Sequence, residues 1–249
     1  MDKKAKGAVS WIPNGVTSLS LVCGFIAIVL SGNLAEEGFC GFSRLEVCWM
    51  LVGASAVFDF LDGMVARMLH ASSSIGKELD SLCDLVSFGV TPAVLLYNTL
   101  RMCHGEWDAW VAWVAVLVAA CGALRLAKFN VDTRQTSSFI GLPIPANAIF
   151  WIGFMAYVND GGSLSTVGAC AVIVCVSLLM VSELPMFSFK IKGPFKADML
   201  NVCRVLLIIS ALLLVIFLGV EGLMWAIGVY VLLSAADAIL CASRSHAEK

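Results

Sequence analysis

Four carboxylates pose the chemical question in this sequence. Asp59 and Asp62 stand three positions apart, and Asp80 and Asp84 four apart, inside text otherwise apolar enough for a bilayer. On a helix, residues at these separations share a face, so each pair projects to one side. A charge at bilayer depth costs roughly 2.5–3.5 kcal/mol on insertion scales, so four of them need compensating cations. Hard oxygen donors in this number suit magnesium or manganese rather than zinc, whose usual sites draw on cysteine and histidine. Two such ions, about 3.5–4 Å apart, are a standard clamp for phosphoryl oxygens during displacement. Gly63, Ala66 and Gly76 remove side-chain bulk beside the acids, so that a phosphate or nucleotide can approach the backbone. On spacing alone, two other readings stay open: a helix–helix polar network pairing the acids with Arg67 and Lys77, and a proton or sodium path through a carrier.

The elements that must position these acids follow from composition. The chain has 249 residues, 60% of them hydrophobic and 14% charged, with a mean hydropathy of +0.92. Soluble domains run nearer a quarter charged, so the expected class is an all-α polytopic membrane protein. Apolar runs of spanning length fall at about 14–31, 45–66, 81–100, 109–127, 143–159, 163–183, 200–219 and 222–243, which predicts about eight transmembrane helices. Backbone in lipid must satisfy its own hydrogen bonds, and runs this long and uniform exclude barrel strands. Residues 1–249 are expected to form a single integral membrane catalytic domain, whose last spans, 200–243, carry little motif. Lys3, Lys4 and Lys6 before the first run resemble a signal peptide, but without a small-x-small cleavage site the run reads as a retained span.

Orientation comes from the cations. With both termini on one side, that side collects fourteen of the sixteen lysines and arginines and the other keeps only Arg44 and Arg101. This positive-inside bias predicts cytoplasmic termini and a cytoplasmic carboxylate cluster, and the integral-membrane form suggests a prokaryotic inner membrane as the setting. The 70–76 segment, with its serines and Gly76, reads as the turn joining the second and third helices. Trp11, Trp49, Trp107, Trp110 and Trp225 lie near span ends and read as interfacial anchors. The ten cysteines form no C-x-x-C pair and sit mostly inside apolar runs, where they read as small hydrophobes rather than a disulfide framework. No basic domain or finger-like spacing suggests nucleic acid.

The run Asp62-Gly63-x-x-Ala66-Arg67, eight residues, then Gly76-x-x-x-Asp80-x-x-x-Asp84, preceded by Asp59, resembles the signature of the CDP-alcohol phosphotransferase family. Its flanks narrow the resemblance. Gly76 to Gly89 with Pro92, Arg125-Leu-Ala-Lys-Phe-Asn130 and Gly141-Leu-Pro-Ile-Pro-Ala146 resemble the branch of that family that uses CDP-diacylglycerol and serine. The resemblance implies the family's membrane fold, a homodimer, and transfer of a phosphatidyl group from CDP-diacylglycerol to the hydroxyl of L-serine with release of CMP. It further implies two divalent cations, Mg2+ or Mn2+, held by Asp59, Asp62, Asp80 and Asp84, with Asp84 as general base. Pro13, Asn14 and Thr17 resemble the element beside the cytidine. Together with Gly63, Ala66, Arg67, Gly76 and the first three aspartates they form the expected nucleotide site.

Candidates for the serine carboxylate or the lipid phosphate are Arg125 foremost, then Lys128, Asn130, Ser87, Arg134 and Lys190. Positive-inside topology or contact with anionic headgroups accounts equally well for the cations among them, and a packing or turn role for Asn130 and Ser87. Ser20 stands where the family's first helix often has asparagine. Lys128 stands where arginine is common, and lysine lacks the bidentate fork. A sibling enzyme using glycerol 3-phosphate or inositol differs from this reading only in the flanking segments.

Overall fold

The computed structural model describes residues 3–34, 36–71, 73–103, 106–132, 139–162, 164–187 and 199–247. It divides into two compact units, 1–126 and 127–249. Among the described residues five helical stretches are long and apolar enough to cross a membrane: Trp11–Ser31, Arg44–Met68, Ser74–Met102, Trp110–Val131 and Asn201–Leu240. The protein is therefore all-α and polytopic. Two apolar helices, Ile144–Asn159 and Thr166–Val181, are shorter, with 16 residues each. The fifth stretch is two helices joined by one 3-10 turn, so all eight expected runs lie on helix while fewer reach spanning length by themselves.

The first unit is organised around α1 (Lys3–Ser31), against which α2 (Arg44–Met68) and the third span pack. A capping box starts α2: the Ser43 hydroxyl accepts the Glu46 N–H at 3.2 Å and the Glu46 carboxylate accepts the Ser43 N–H at 2.7 Å. His70, at φ +48°, ends the helix in the left-handed conformation. The Ala71 N–H then reaches back to the Ala66 carbonyl at 3.0 Å and the His70 N–H to that of Arg67 at 3.3 Å. These two bonds satisfy carbonyls that the helix end would leave open.

The third span runs unbroken through α3 (Ser74–Asp84), a π-helical turn (Leu85–Val90) and α4 (Thr91–Cys103). It begins before the apolar run does, because the Ser73 hydroxyl caps α3 by accepting the Gly76 N–H at 3.0 Å. The π turn precedes Pro92, which has no N–H to offer. There the Thr91 N–H bonds to the Val86 carbonyl five residues back. Three polar contacts hold this span parallel to α1, joining Ser87 to Ser20, Thr91 to Gly24 and Asn98 to Ser31 at one constant offset of 67 residues. A 3-10 segment (Glu106–Ala115) leads into α5 (Val116–Val131).

The second unit holds α6 (Ile144–Asn159), α7 (Thr166–Val181), α8 (Met199–Leu218) and α9 (Gly222–Ala247). A two-residue antiparallel pair, β1 (Phe139–Ile140) with β2 (Pro185–Met186), closes its polar end. Gly141, at φ +74°, turns the chain from β1 toward α6, and its N–H bonds the Leu184 carbonyl at 2.9 Å. Trp151, Met155, Ile173 and Met180 are fully buried here, while Phe217 and Ile216 of α8 are exposed, as lipid-facing positions are. The eight cysteines whose side chains are described are all free.

Candidate active site

Asp59 and Asp62 lie on α2 and Asp80 on α3, and each offers a carboxylate oxygen within 4.8 Å of the others. The helical spacing that pairs the first two on one face is thus joined by the capped helix that carries the third. Asp62 is 6% exposed, and its Oδ2 has no hydrogen-bond partner. A buried carboxylate oxygen left open in this way is costly unless something cationic meets it. Three converging hard oxygens with one of them orphaned fit a divalent cation.

Asp84 is not one of the three. Its carboxyl lies within hydrogen-bonding reach of the Asp59 carboxyl, and the buried Arg125 is the cation whose charge acts on it. A fourth acid thus adjoins the trio through Asp59 and feels the Arg125 charge.

A cavity of about 450 Å³ opens beside the trio. Pro13, Asn14 and Thr17 of α1 form one wall, Asp62, Gly63 and Ala66 of α2 another, and Gly76 and Asp80 of α3 the third. The Thr17 hydroxyl sits against the Asp62 carboxylate and also within 3.0 Å of the Pro13 carbonyl. Its single proton serves one or the other. Gly76 brings α3 so near α1 that an added Cβ would lie 3.0 Å from Asn14 Oδ1, whereas a Cβ at Gly63 would meet nothing within 4 Å. Packing thus accounts for the small residue at 76. At 63 the space is left to whatever enters the cavity.

Eight of the ten residues expected around the nucleotide line this cavity, and Asp59 reaches it through the trio. Arg67 does not line it; its Nε donates to the Gly63 carbonyl at 2.9 Å on the exposed side of α2. Ser87 is fully buried and bonded to Ser20, which makes it a packing residue between helices. Lys128 Nζ donates to the Val181 carbonyl at 3.0 Å, capping α7 from the end of α5. Asn130 is half-buried near the end of α5 in the second unit. Arg134 and Lys190 lie outside the described residues.

Sequence reasoning missed Ala71, Ser73 and Ser74 as lining residues and treated Lys77 only as a partner for the acids. The serine cap three positions before Gly76 was the available signal, since it starts a helix whose first turn, with Lys77, lines the cavity.

Comparison with known proteins agrees with this geometry. The family model described as CDP-alcohol phosphatidyltransferase matches residues 10–181. A CDP-diacylglycerol–serine O-phosphatidyltransferase of Mycobacterium leprae is 38% identical over 186 residues, covering 70% of this chain and 57% of that protein. The chain thus matches under two thirds of that relative's length. Proteins of the same name from Methanocaldococcus jannaschii and Bacillus subtilis are 36% and 32% identical, over 70% and 73% of this chain and 72% and 93% of theirs. The match of the model runs through α1, the carboxylate trio and both units as far as the end of α7, and the chain belongs to the CDP-alcohol phosphatidyltransferase family.

Proposed function

We propose that this protein transfers the phosphatidyl group from CDP-diacylglycerol to the hydroxyl of L-serine, giving phosphatidylserine and CMP. The observation that carries the reading is the convergence of Asp59, Asp62 and Asp80 beside a cavity walled by Pro13, Asn14, Thr17 and the first turn of α3. The serine acceptor is supported by the names of the relatives.

In this reading the serine oxygen attacks the phosphorus that bears diacylglycerol, and the bond from that phosphorus to the CMP oxygen breaks. Asp84 receives the hydroxyl proton on a carboxylate oxygen, as a poor nucleophile at neutral pH requires. Arg125 orients Asp84 and offers its remaining N–H groups to the serine carboxylate. Asp59, Asp62 and Asp80, together with Asp84 before it takes the proton, would hold two divalent cations, Mg2+ or Mn2+, whose charge would stabilise the pyrophosphate oxygens and the departing CMP. The positive end of the α3 dipole and the Lys77 side chain, both at the cavity wall, attract the nucleotide phosphate. Gly63 leaves room for it.

The positive-inside bias supports cytoplasmic termini and a cleft at the cytoplasmic rim of the membrane, where serine and CMP exchange with water, and the integral-membrane form is the ground for a prokaryotic inner membrane. The family match crosses from one unit into the other, which supports residues 1–249 acting as one catalytic domain, and the resemblance supports a homodimer. The test is CMP release from CDP-diacylglycerol by the full chain in membranes, with serine, glycerol 3-phosphate and inositol in parallel, with and without a chelator. Release that depends on serine and divalent metal is expected. Release driven by another alcohol, or indifferent to chelation, overturns the reading.

A further inference from the structure

The first unit has a second cavity, of about 320 Å³, at the other end of the same two parallel helices. Pro13 and Asn14 of α1 line the carboxylate cavity, whereas Ser31 and Asn33 line this one with Asn98 and Arg101 of the third span. Eighteen residues of helix at 1.5 Å each separate Pro13 from Ser31 by about 27 Å, close to the hydrocarbon thickness of a bilayer. The two cavities therefore open at opposite membrane surfaces.

Arg101 is prepared for an anion. Among the residues whose side chains are described it pairs with no carboxylate, whereas Arg44, the other arginine expected on this side, pairs with Glu36. Glu36 also takes the amide of Asn33, so its charge is already engaged. One guanidinium N–H of Arg101 donates to the Tyr97 hydroxyl at 3.3 Å, and its carbon lies 5.7 Å from the Tyr97 ring centre. Tyr97 is held in turn edge-on to Trp113 at 5.0 Å. This backing orders a side chain that would otherwise lose much rotamer freedom on binding, and it leaves further N–H groups for a ligand. The Asn98 amide, anchored by donation to the Ser31 hydroxyl at 2.9 Å, lines the same space and carries a second N–H.

An ordered arginine at the interface, with amide donors, aromatic backing and a headgroup-sized cavity, matches a phosphodiester. We infer that this cavity holds the phosphate of a phospholipid from the leaflet opposite the carboxylate cleft, with Arg101 as its counter-charge. The site is independent of the transfer reaction.

The test is native mass spectrometry of the full chain in detergent, titrated with phosphatidylglycerol, with diacylglycerol of the same tails, and with sn-glycerol 3-phosphate. The wild type should retain phosphatidylglycerol in preference to both controls. Arg101→Ala should bind it about fivefold more weakly, as expected for one interfacial cation, with CMP release at saturating substrates unchanged. Arg101→Gln, which keeps a hydrogen-bonding side chain without charge, serves if the alanine variant does not fold, and the same loss is expected of it. Equal retention by wild type and variant, or retention of diacylglycerol as strong as that of phosphatidylglycerol, overturns the inference. Saturation by sn-glycerol 3-phosphate alone overturns the lipid as occupant.

Discussion

The Ser87 hydroxyl donates to the Ser20 carbonyl at 3.0 Å, and that carbonyl also accepts the Ser55 hydroxyl at 3.0 Å. One backbone oxygen of α1 thus ties together α2 and the third span. Ser55 lies one turn before Asp59 and Ser87 three residues after Asp84, so the junction sits just beneath the carboxylates. Ser87→Ala removes one of its donors and should cost about 1 kcal/mol, the usual size for a buried hydrogen bond in either water or membrane. Unfolding of the full chain in mixed micelles measures it; an unchanged midpoint would show that this junction does not hold the helices.

Gly63→Ala separates packing from ligand space. Nothing lies within 4 Å of the added methyl, so stability should stay at the wild-type level. Turnover of CDP-diacylglycerol should fall about tenfold if the nucleotide fills that space, since an overpacked contact costs about 1–3 kcal/mol. Wild-type kinetics would mean that the nucleotide keeps clear of this wall.

Asp62→Asn and Asp84→Asn should fail differently. The first alters the trio and should weaken Mn2+ binding, read by electron paramagnetic resonance without turnover. The second should lower turnover by about 10²–10⁴-fold, the range for a lost general base, with Mn2+ binding at the trio retained. Complete loss of Mn2+ binding in Asp84→Asn would make that acid a ligand before a base.

Arg125→Ala should raise the KM for serine more than that for CDP-diacylglycerol, because the arginine acts at Asp84 rather than along the nucleotide wall. Arg125→Lys should recover part of the effect through charge alone. Equal changes in both constants would remove Arg125 from the serine site.

Gly141→Ala tests the turn that closes the second unit. The residue sits at φ +74°, and an added Cβ would lie 2.4 Å from the Met180 carbonyl oxygen, a backbone atom that cannot swing aside. A loss of more than about 1 kcal/mol is expected, measured by the same unfolding assay. Wild-type stability would mean that the turn relaxes without cost.

Composition and periodicity by themselves determined that the chain is helical and membrane-spanning, because long apolar runs allow no other way to satisfy backbone in lipid. The spacing of Asp59 and Asp62, and of Asp80 and Asp84, likewise determined two acidic helix faces, since helical geometry places residues three or four apart on one face whatever surrounds them. Sequence spacing could not bring the two faces together, with Asp80 converging on Asp59 and Asp62 and Asp84 against Asp59, because that depends on the rotation of one helix against another. Nor did it decide between a pocket and a packing role for Ser87, or reveal that Lys128 caps α7 or that Arg67 turns back onto Gly63. Each of those roles rests on a partner carbonyl whose position is decided only when the helices pack, and a one-dimensional pattern carries no record of which carbonyl that is.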